Sequence, residues 1–143
     1  MNYLDILHAQ LRIDEGEPLK PYVDSVGKVS IGIGRNLTDN GISRGERALM
    51  FDNDLASAEH TARLLVPTFD QLSDVRKAAF VNLAFNMGYN VLAQFVNTLK
   101  AAQEGRWNDV SAGILSSKYA GQVGNRAVRI AASLKTNQWK DTA

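Results

Sequence analysis

Apolar residues recur at helical spacing at the beginning of the chain. Leu4, Leu7 and Leu11 fall on one face of a helix over residues 3–14, and Gly16 follows as a stop signal. Beyond this point apolar positions alternate with small or polar ones, which is typical of strands rather than helices. The pattern therefore predicts an amphipathic helix followed by β structure.

Residues 19–34 are predicted to be β, with a glycine-containing turn before a strand over residues 29–33. In this strand Ser30 points away from the neighbouring apolar residues, toward the same face as Gly32 and Gly34. Because these glycines carry no side chains, we expect that face to admit a ligand or a closely approaching backbone.

Helical patterns dominate the rest of the chain. Residues 43–46 have the spacing of a capping box and begin a long helix to about residue 65, which Pro67 ends. Ser73 begins a helix that runs to Gly88 and is apolar around most of its circumference, as in a central buried helix. The other predicted elements are a loop over residues 36–41 and helices over about 91–96, 98–104, 107–115 and 125–136.

The composition suits one domain with a packed core. The chain has 143 residues, of which 45% are hydrophobic and 22% charged, as in ordinary soluble globular proteins. It contains no cysteine, which excludes disulfides, thiolate metal sites and a thiol nucleophile. We expect a single α+β domain over residues 1–143, in which a long helix joins a small β-containing N-terminal lobe to a helical C-terminal lobe.

Charge is unevenly distributed along the chain. Residues 1–72 carry 7 Lys and Arg against 11 Asp and Glu, whereas residues 73–143 carry 9 against 4. A basic half is typical of proteins that attract an anionic polymer or surface, which describes cell wall, nucleic acid and anionic lipid alike. Neither an apolar stretch of ~20 residues nor a signal-peptide pattern is present. We therefore expect synthesis in the cytoplasm without a leader.

Two carboxylates and a hydroxyl stand out as candidate chemistry. Glu15 lies at the end of the first helix, Asp24 at the hairpin turn, and Ser30 on the following strand. The partial negative charge of a helix C-terminus disfavours an ionised carboxylate, which suits a general acid. Two carboxylates facing across a cleft are the minimum apparatus for cleaving a glycosidic bond. Taken alone, however, Asp24 is more typical of a turn residue, and Glu15 of an exposed helix end.

Other catalytic classes have no support in the sequence. The two histidines lie far apart, and there is no metal-binding pair, dinucleotide loop, P-loop or nucleophilic serine motif. We therefore expect neither a cofactor nor a metal.

The chain resembles the phage-type lysozymes, the muramidase endolysins of tailed bacteriophages. Glu15, Asp24 and Ser30 match the Glu-x8-Asp-x5-Thr motif of that family, with Ser in place of Thr, and Gly32 and Gly34 match the glycines that follow. Further matches run in the same order through residues 75–79, 82–83, 85–88, 105–107 and 125–127. Arg35 departs from the pattern, because family members often have His there.

The resemblance implies a two-lobed α+β fold with a cleft between the lobes. It implies hydrolysis of the β-1,4 bond between N-acetylmuramic acid and N-acetylglucosamine in peptidoglycan. Glu15 would be the general acid, while Asp24 and Ser30 would position or activate water. The residues implied to contact substrate or support the acid are Tyr22, Asn86, Tyr119, Gln122 and Arg126, the last by pairing with the acid.

The resemblance also implies a biological role. An endolysin is made in the host bacterial cytoplasm and reaches the wall in the periplasm after a separate membrane-permeabilising protein opens the membrane. It then lyses the host for phage release. The expected partner is the peptidoglycan glycan strand, with no nucleic acid involved, and the expected state is a monomer.

Two alternatives stay open at this point. A lytic transglycosylase cleaves the same bond with one carboxylate and leaves an anhydro sugar, but the combination of Asp24 and Ser30 favours hydrolysis. A non-catalytic module that binds the wall or disrupts membranes would act through the basic second half. The complete set of Glu15, Asp24 and Ser30 favours an enzyme.

Overall fold

Most of the chain is helical, and a three-stranded antiparallel sheet lies near the N-terminus. The structure is a computed structural model and describes residues 1–140. The helices are α1 (Tyr3–Glu15), α2 (Leu37–Asn40), α3 (Arg44–Leu65), α4 (Asp74–Leu92), α5 (Val96–Gln103), α6 (Trp107–Leu115), α7 (Lys118–Val123) and α8 (Asn125–Thr136). The strands are β1 (Tyr22–Val23), β2 (Val29–Ile31) and β3 (Arg35–Asn36), and a 3-10 turn covers Phe69–Gln71. The predicted α+β fold class is confirmed.

The chain forms two compact units, and the boundary between them falls inside α3. The first unit is Met1–Leu49 and the second begins at Met50. The predicted capping box at the start of α3 is confirmed, because the Glu46 amide donates to Ser43 Oγ at 3.1 Å and the Ser43 amide donates to Glu46 Oε1 at 2.9 Å. The organisation as one catalytic domain stays a prediction.

In the first unit, α1 begins at a second capping box. The amides of Leu4 and Asp5 donate to Asn2 Oδ1, and the Asn2 amide donates to Asp5 Oδ2. The helix runs one residue further than predicted, to Glu15, and ends at Gly16 as expected. None of its residues is buried, so the predicted leucine face is only partly covered.

The predicted hairpin is confirmed, since β1 and β2 pair antiparallel with Tyr22 opposite Ser30. The second strand ends at Ile31, two residues earlier than predicted. The cause is a change of backbone conformation, because Gly32 and Gly34 have positive φ angles of 66° and 73°. The face carrying Ser30 therefore ends in a glycine turn.

The loop predicted over residues 36–41 is wrong. Its first residue, Asn36, belongs to β3, and the next four form α2. Asn36 Oδ1 accepts the Asp39 amide at 3.0 Å, and Asn36 Nδ2 donates to Asp39 Oδ2 at 2.9 Å. A helix of one turn is too short for apolar residues to recur at helical spacing, so hydrophobic periodicity does not predict α2.

In the second unit, α4 extends beyond its predicted end at Gly88 and reaches Leu92. Gly88 has φ 75° and ψ 175°, so the helix bends there and then resumes. The helix predicted over 91–96 is therefore wrong, because its first residues end α4. The helix predicted over 98–104 begins two residues earlier, at Val96.

One face of α4 is buried, rather than most of its circumference as predicted. The buried residues before the bend are Ala79, Phe80, Leu83 and Ala84. Phe85 is 42% exposed, and its ring packs edge-on against Phe51 of α3 with 6.1 Å between centroids.

The helices predicted over 107–115 and 125–136 are confirmed as α6 and α8. The sequence analysis missed α7, which Ser117 begins by accepting the Ala120 amide at 3.3 Å and Gly124 ends. The largest fully buried side chains of this unit are Val66, Phe80, Leu83, Leu92, Val110, Ile114 and Leu134. Among the helices that the structure describes, none is both long and apolar enough to cross a bilayer.

Candidate active site

Glu15 is the last residue of α1, and its side chain lies against Gly34. Its Cδ and Oε2 atoms are 2.9 Å from the position that a Cβ atom on Gly34 would occupy. Gly16 has a φ of 73° and ends the helix at this point, with its amide bonded to the Arg12 carbonyl at 3.0 Å. The glycine face thus admits a close approach, which a side chain makes instead of the expected ligand or backbone.

Asp24 organises the turn between β1 and β2. Its Oδ1 atom accepts the Val26 amide at 3.0 Å and the Lys28 amide at 2.8 Å. Its own amide donates to the Lys28 carbonyl at 2.8 Å. The turn role typical of Asp is therefore present, but both side-chain bonds use Oδ1, so the turn does not need Oδ2.

Ser30 is the buried residue of β2. It is 4% exposed, whereas the preceding Val29 is 39% exposed, because successive side chains of a strand point to opposite faces. Ser30 lies directly opposite Tyr22 on one side and Asn36 on the other. The structure therefore brings two of the predicted site residues, Tyr22 and Ser30, side by side in the sheet.

Arg35 forms an ion pair within the first unit. Its Nη1 donates to Glu46 Oε1 at 2.8 Å and to the Gly41 carbonyl at 3.2 Å. The hydrogen bond from Arg35, together with that from Ser43, lowers the pKa of Glu46 to about 2. This pair ties β3 to the first turn of α3.

Three other predicted residues, Asn86, Tyr119 and Gln122, line one cavity in the second unit. The cavity has a volume of about 650 Å³ and lies where α4, α6 and α7 meet; we call it the α7 pocket. Its lining is completed by Met87, Val91, Gln94, Phe95, Gly113, Ser117, Lys118 and Val123. An apolar cavity with a few polar groups is the usual form of a ligand site.

Tyr119 is the buried polar residue of the α7 pocket. It is 6% exposed, and no group within residues 1–140 forms a hydrogen bond with its hydroxyl. Burial raises the pKa of Tyr119, while the positive charge of Arg126 acts in the opposite direction. A buried hydroxyl without a partner is unfavourable, because it has lost its bonds to water and gained none from the described residues.

Arg126 contacts Asn82 in the second unit. Its Nε and Nη2 atoms both donate to Asn82 Oδ1, at 3.0 and 2.7 Å. This fixes the plane of the guanidinium group. The pairing of Arg126 with Glu15 that the resemblance implies stays a prediction.

The family model for phage lysozyme matches residues 12–133, which include all of these residues. The chain belongs to the phage lysozyme family. It is therefore a lysozyme, a glycosidase of the muramidase type, as predicted from the sequence.

Curated relatives agree with this assignment. Probable T4-type lysozyme 1 of Dictyostelium discoideum is 26% identical, over 88% of this chain and 91% of its own length. Probable T4-type lysozyme 2 of the same organism is 26% identical, over 94% of this chain and 96% of its own length. The pre-baseplate central spike protein Gp5 of Enterobacteria phage T4 is 28% identical over 84% of this chain, which spans only 26% of that protein.

Sequence reasoning missed two features around the candidate site residues. It did not identify Asn82 as the partner of Arg126, because nothing local links residues on different helices. It also missed α7, although Ser117 and Gly124 are cap and stop signals, because six residues are too few to show a helical period. Within residues 1–140, no group of three or more His, Cys, Asp or Glu side chains is placed to hold a metal.

Proposed function

We propose that this lysozyme hydrolyses the β-1,4 bond between N-acetylmuramic acid and N-acetylglucosamine in peptidoglycan. Glu15 is the general acid, and Asp24 and Ser30 position and activate water. The main support is the seating of Glu15 on Gly34, because it brings the end of α1 to the glycine turn that directly follows the strand carrying Ser30.

Each of the three residues has a separate task in this proposal. Glu15 protonates the leaving glycosidic oxygen as the bond to the sugar breaks. Asp24 stabilises the developing positive charge and orients the attacking water, for which two backbone amides hold its carboxylate in one orientation. Ser30, covered and fixed in the middle strand, accepts or donates one hydrogen bond to that water.

The remaining predicted residues contact the substrate or support the acid. In the proposal Asn86, Tyr119 and Gln122 bind the wall polymer through the α7 pocket, where the Tyr119 hydroxyl still has hydrogen-bonding capacity. Tyr22 packs beside Ser30, and Arg126 pairs with the acid. The chain then acts as a single catalytic domain on peptidoglycan glycan strands, as a monomer.

We propose that the biological role is that of an endolysin. The enzyme is made in the bacterial cytoplasm, reaches the periplasmic wall when a separate protein permeabilises the membrane, and lyses the host for phage release. Membership of the phage lysozyme family supports this role.

The test is turbidity clearing of outer-membrane-permeabilised Gram-negative cells by wild type, Glu15→Gln and Asp24→Asn. The matched control is Glu17→Gln, because Glu17 is two residues away and pairs with Arg12 on the surface. We expect wild type and the control to clear the cells and both site variants to fail.

Clearing by Glu15→Gln at the wild-type rate would contradict the mechanism and favour membrane disruption by the basic half. If Asp24→Asn clears the cells while Glu15→Gln does not, the reaction needs no water-activating carboxylate, and a transglycosylase is favoured. Folding of each variant is checked by its thermal transition.

A further inference from the structure

The backbone that holds Asp24 is itself held by a hydroxyl from α2. The Lys28 amide donates to Asp24 Oδ1 at 2.8 Å, and the next amide, that of Val29, donates to Thr38 Oγ1 at 2.8 Å. Successive amides in a strand point in opposite directions. The backbone at the entry to β2, at Lys28 and Val29, is therefore held by the Asp24 carboxylate on one side and by Thr38 on the other.

The Val29 amide needs a side-chain acceptor because β3 is too short to supply a backbone carbonyl. In the ladder between β2 and β3 the last pair is Ser30 with Asn36, after which the chain turns into α2. The Val29 amide thus lies beyond the end of β3 and has no strand carbonyl opposite it. The hydroxyl oxygen of Thr38 accepts the hydrogen bond from this amide, which has no partner within the sheet.

A second contact joins the same two segments but is weaker. Lys28 Nζ lies 3.0 Å from Asp39 Oδ1, and Asn36 Nδ2 holds the other oxygen of Asp39 at 2.9 Å. Both charged side chains are well exposed, so the pair is screened by water and contributes little. The bond from the Val29 amide to Thr38 is therefore the main link between α2 and the Asp24 turn.

We propose that Thr38 is a positioning residue for Asp24, an inference that rests on the proposed catalytic role of Asp24. Loss of the Thr38 hydroxyl loosens the backbone at residues 28 and 29. This weakens the bond from the Lys28 amide, which is one of the two that orient the Asp24 carboxylate. Because the groups proposed to bind substrate lie elsewhere, kcat falls while KM changes little.

The experiment compares Thr38→Val, which keeps the shape but removes the acceptor, with Thr38→Ser, which restores it. Kinetics are measured on purified peptidoglycan over a range of concentrations. We expect kcat of Thr38→Val to fall roughly tenfold to a hundredfold, as for a misplaced catalytic group, and Thr38→Ser to recover most of it. Thr136→Val is the control, because Thr136 is also exposed and its hydroxyl accepts a backbone amide, that of Gln138 at 3.3 Å.

Amide hydrogen exchange supplies a readout that is independent of activity. The Lys28 amide is expected to exchange faster in Thr38→Val than in wild type, and to recover in Thr38→Ser. A purely structural role for Thr38 would lower the thermal midpoint without changing kcat well below it.

The outcomes separate this inference from the proposed function. Unchanged kcat and unchanged Lys28 exchange in Thr38→Val, alongside an inactive Asp24→Asn, would overturn the positioning role and leave the proposed function intact. Full activity of Asp24→Asn would overturn the proposed role of Asp24, and the positioning role with it.

Discussion

The carboxyl group of Glu15 occupies the space that a side chain on Gly34 would fill. Two of its atoms lie 2.9 Å from the position of a Cβ atom on Gly34, which is closer than carbon and oxygen approach without bonding. The glycine also has a φ of 73°, so two separate requirements exclude a side chain there. The proposed site therefore depends on this glycine as much as on Glu15.

Gly34→Ala is expected to abolish most activity. The new methyl group displaces the Glu15 carboxyl, and we expect kcat to fall roughly tenfold or more. Gly105→Ala is the control, because Gly105 has a φ of 71° and nothing within 4 Å of its Cβ position. An alanine in the left-handed backbone conformation costs each variant about 1–2 kcal/mol of unfolding free energy. Only Gly34→Ala is expected to lose activity as well. Equal activities of the two variants would show that Gly34 does not seat the acid.

Gly113→Ala is expected to destabilise the second unit. A Cβ atom there overlaps Thr98 Oγ1 and lies 3.2 Å from Thr98 Cβ, so either the buried Thr98 side chain or the two helices must shift. Overpacking of this kind costs about 1–3 kcal/mol of unfolding free energy. Gly121→Ala, with nothing within 4 Å, is the control and is expected to be neutral or to stabilise α7. Denaturant unfolding measures both, and a loss of the same size in both would exclude the steric explanation.

Arg76 is expected to stabilise the second unit through a carbonyl of α8. Its Nε donates to the Leu134 carbonyl in the last turn of α8 at 2.9 Å, and its guanidinium lies 4.1 Å from the Trp107 ring centroid. Arg76→Gln removes a charged hydrogen bond and is expected to cost about 1.5–3 kcal/mol in thermal or denaturant unfolding. The same change at the exposed Arg129 is the control, with an expected loss below about 0.5 kcal/mol. Similar losses at both positions would rule out the carbonyl contact as the cause.

The Arg35–Glu46 pair predicts a pH dependence of stability. The hydrogen bond from Arg35 lowers the pKa of Glu46 from 4.5 to about 2. A lowered pKa in the folded state means that the stabilisation is complete above about pH 4.5 and is lost as pH falls through about 2. The difference in thermal midpoint between wild type and Glu46→Gln should therefore be constant above pH 5 and shrink steadily below it. A difference that stays constant down to pH 2 would contradict this assignment.

Local signals in the sequence were enough to predict the elements that carry the proposed site. Glu15 at a helix end and Asp24 at a turn depend on neighbours within a few residues, and the structure places both as predicted. Ser30 on a strand follows from alternation alone. The long helix α3 follows from its capping box, since a cap and a breaker define both of its ends.

The contacts between elements were not predictable from one sequence. Seating Glu15 on Gly34 depends on how α1 meets the sheet, and the Arg126 contact with Asn82 depends on how α4 meets α8. The bend at Gly88 was also missed. A glycine after an apolar helical run is an ordinary stop signal, and packing rather than local propensity makes the helix continue.

The most direct test of the catalytic claim is the mass of the products formed in water enriched in ¹⁸O. Purified peptidoglycan is digested by wild type and by Glu15→Gln, and the new muramic acid ends are weighed by mass spectrometry. We predict that every new end made by wild type carries one oxygen from water, and that Glu15→Gln makes almost none. Anhydro ends, lighter by one water and without label, or equal labelled product from Glu15→Gln, would contradict the hydrolytic roles proposed for Glu15, Asp24 and Ser30.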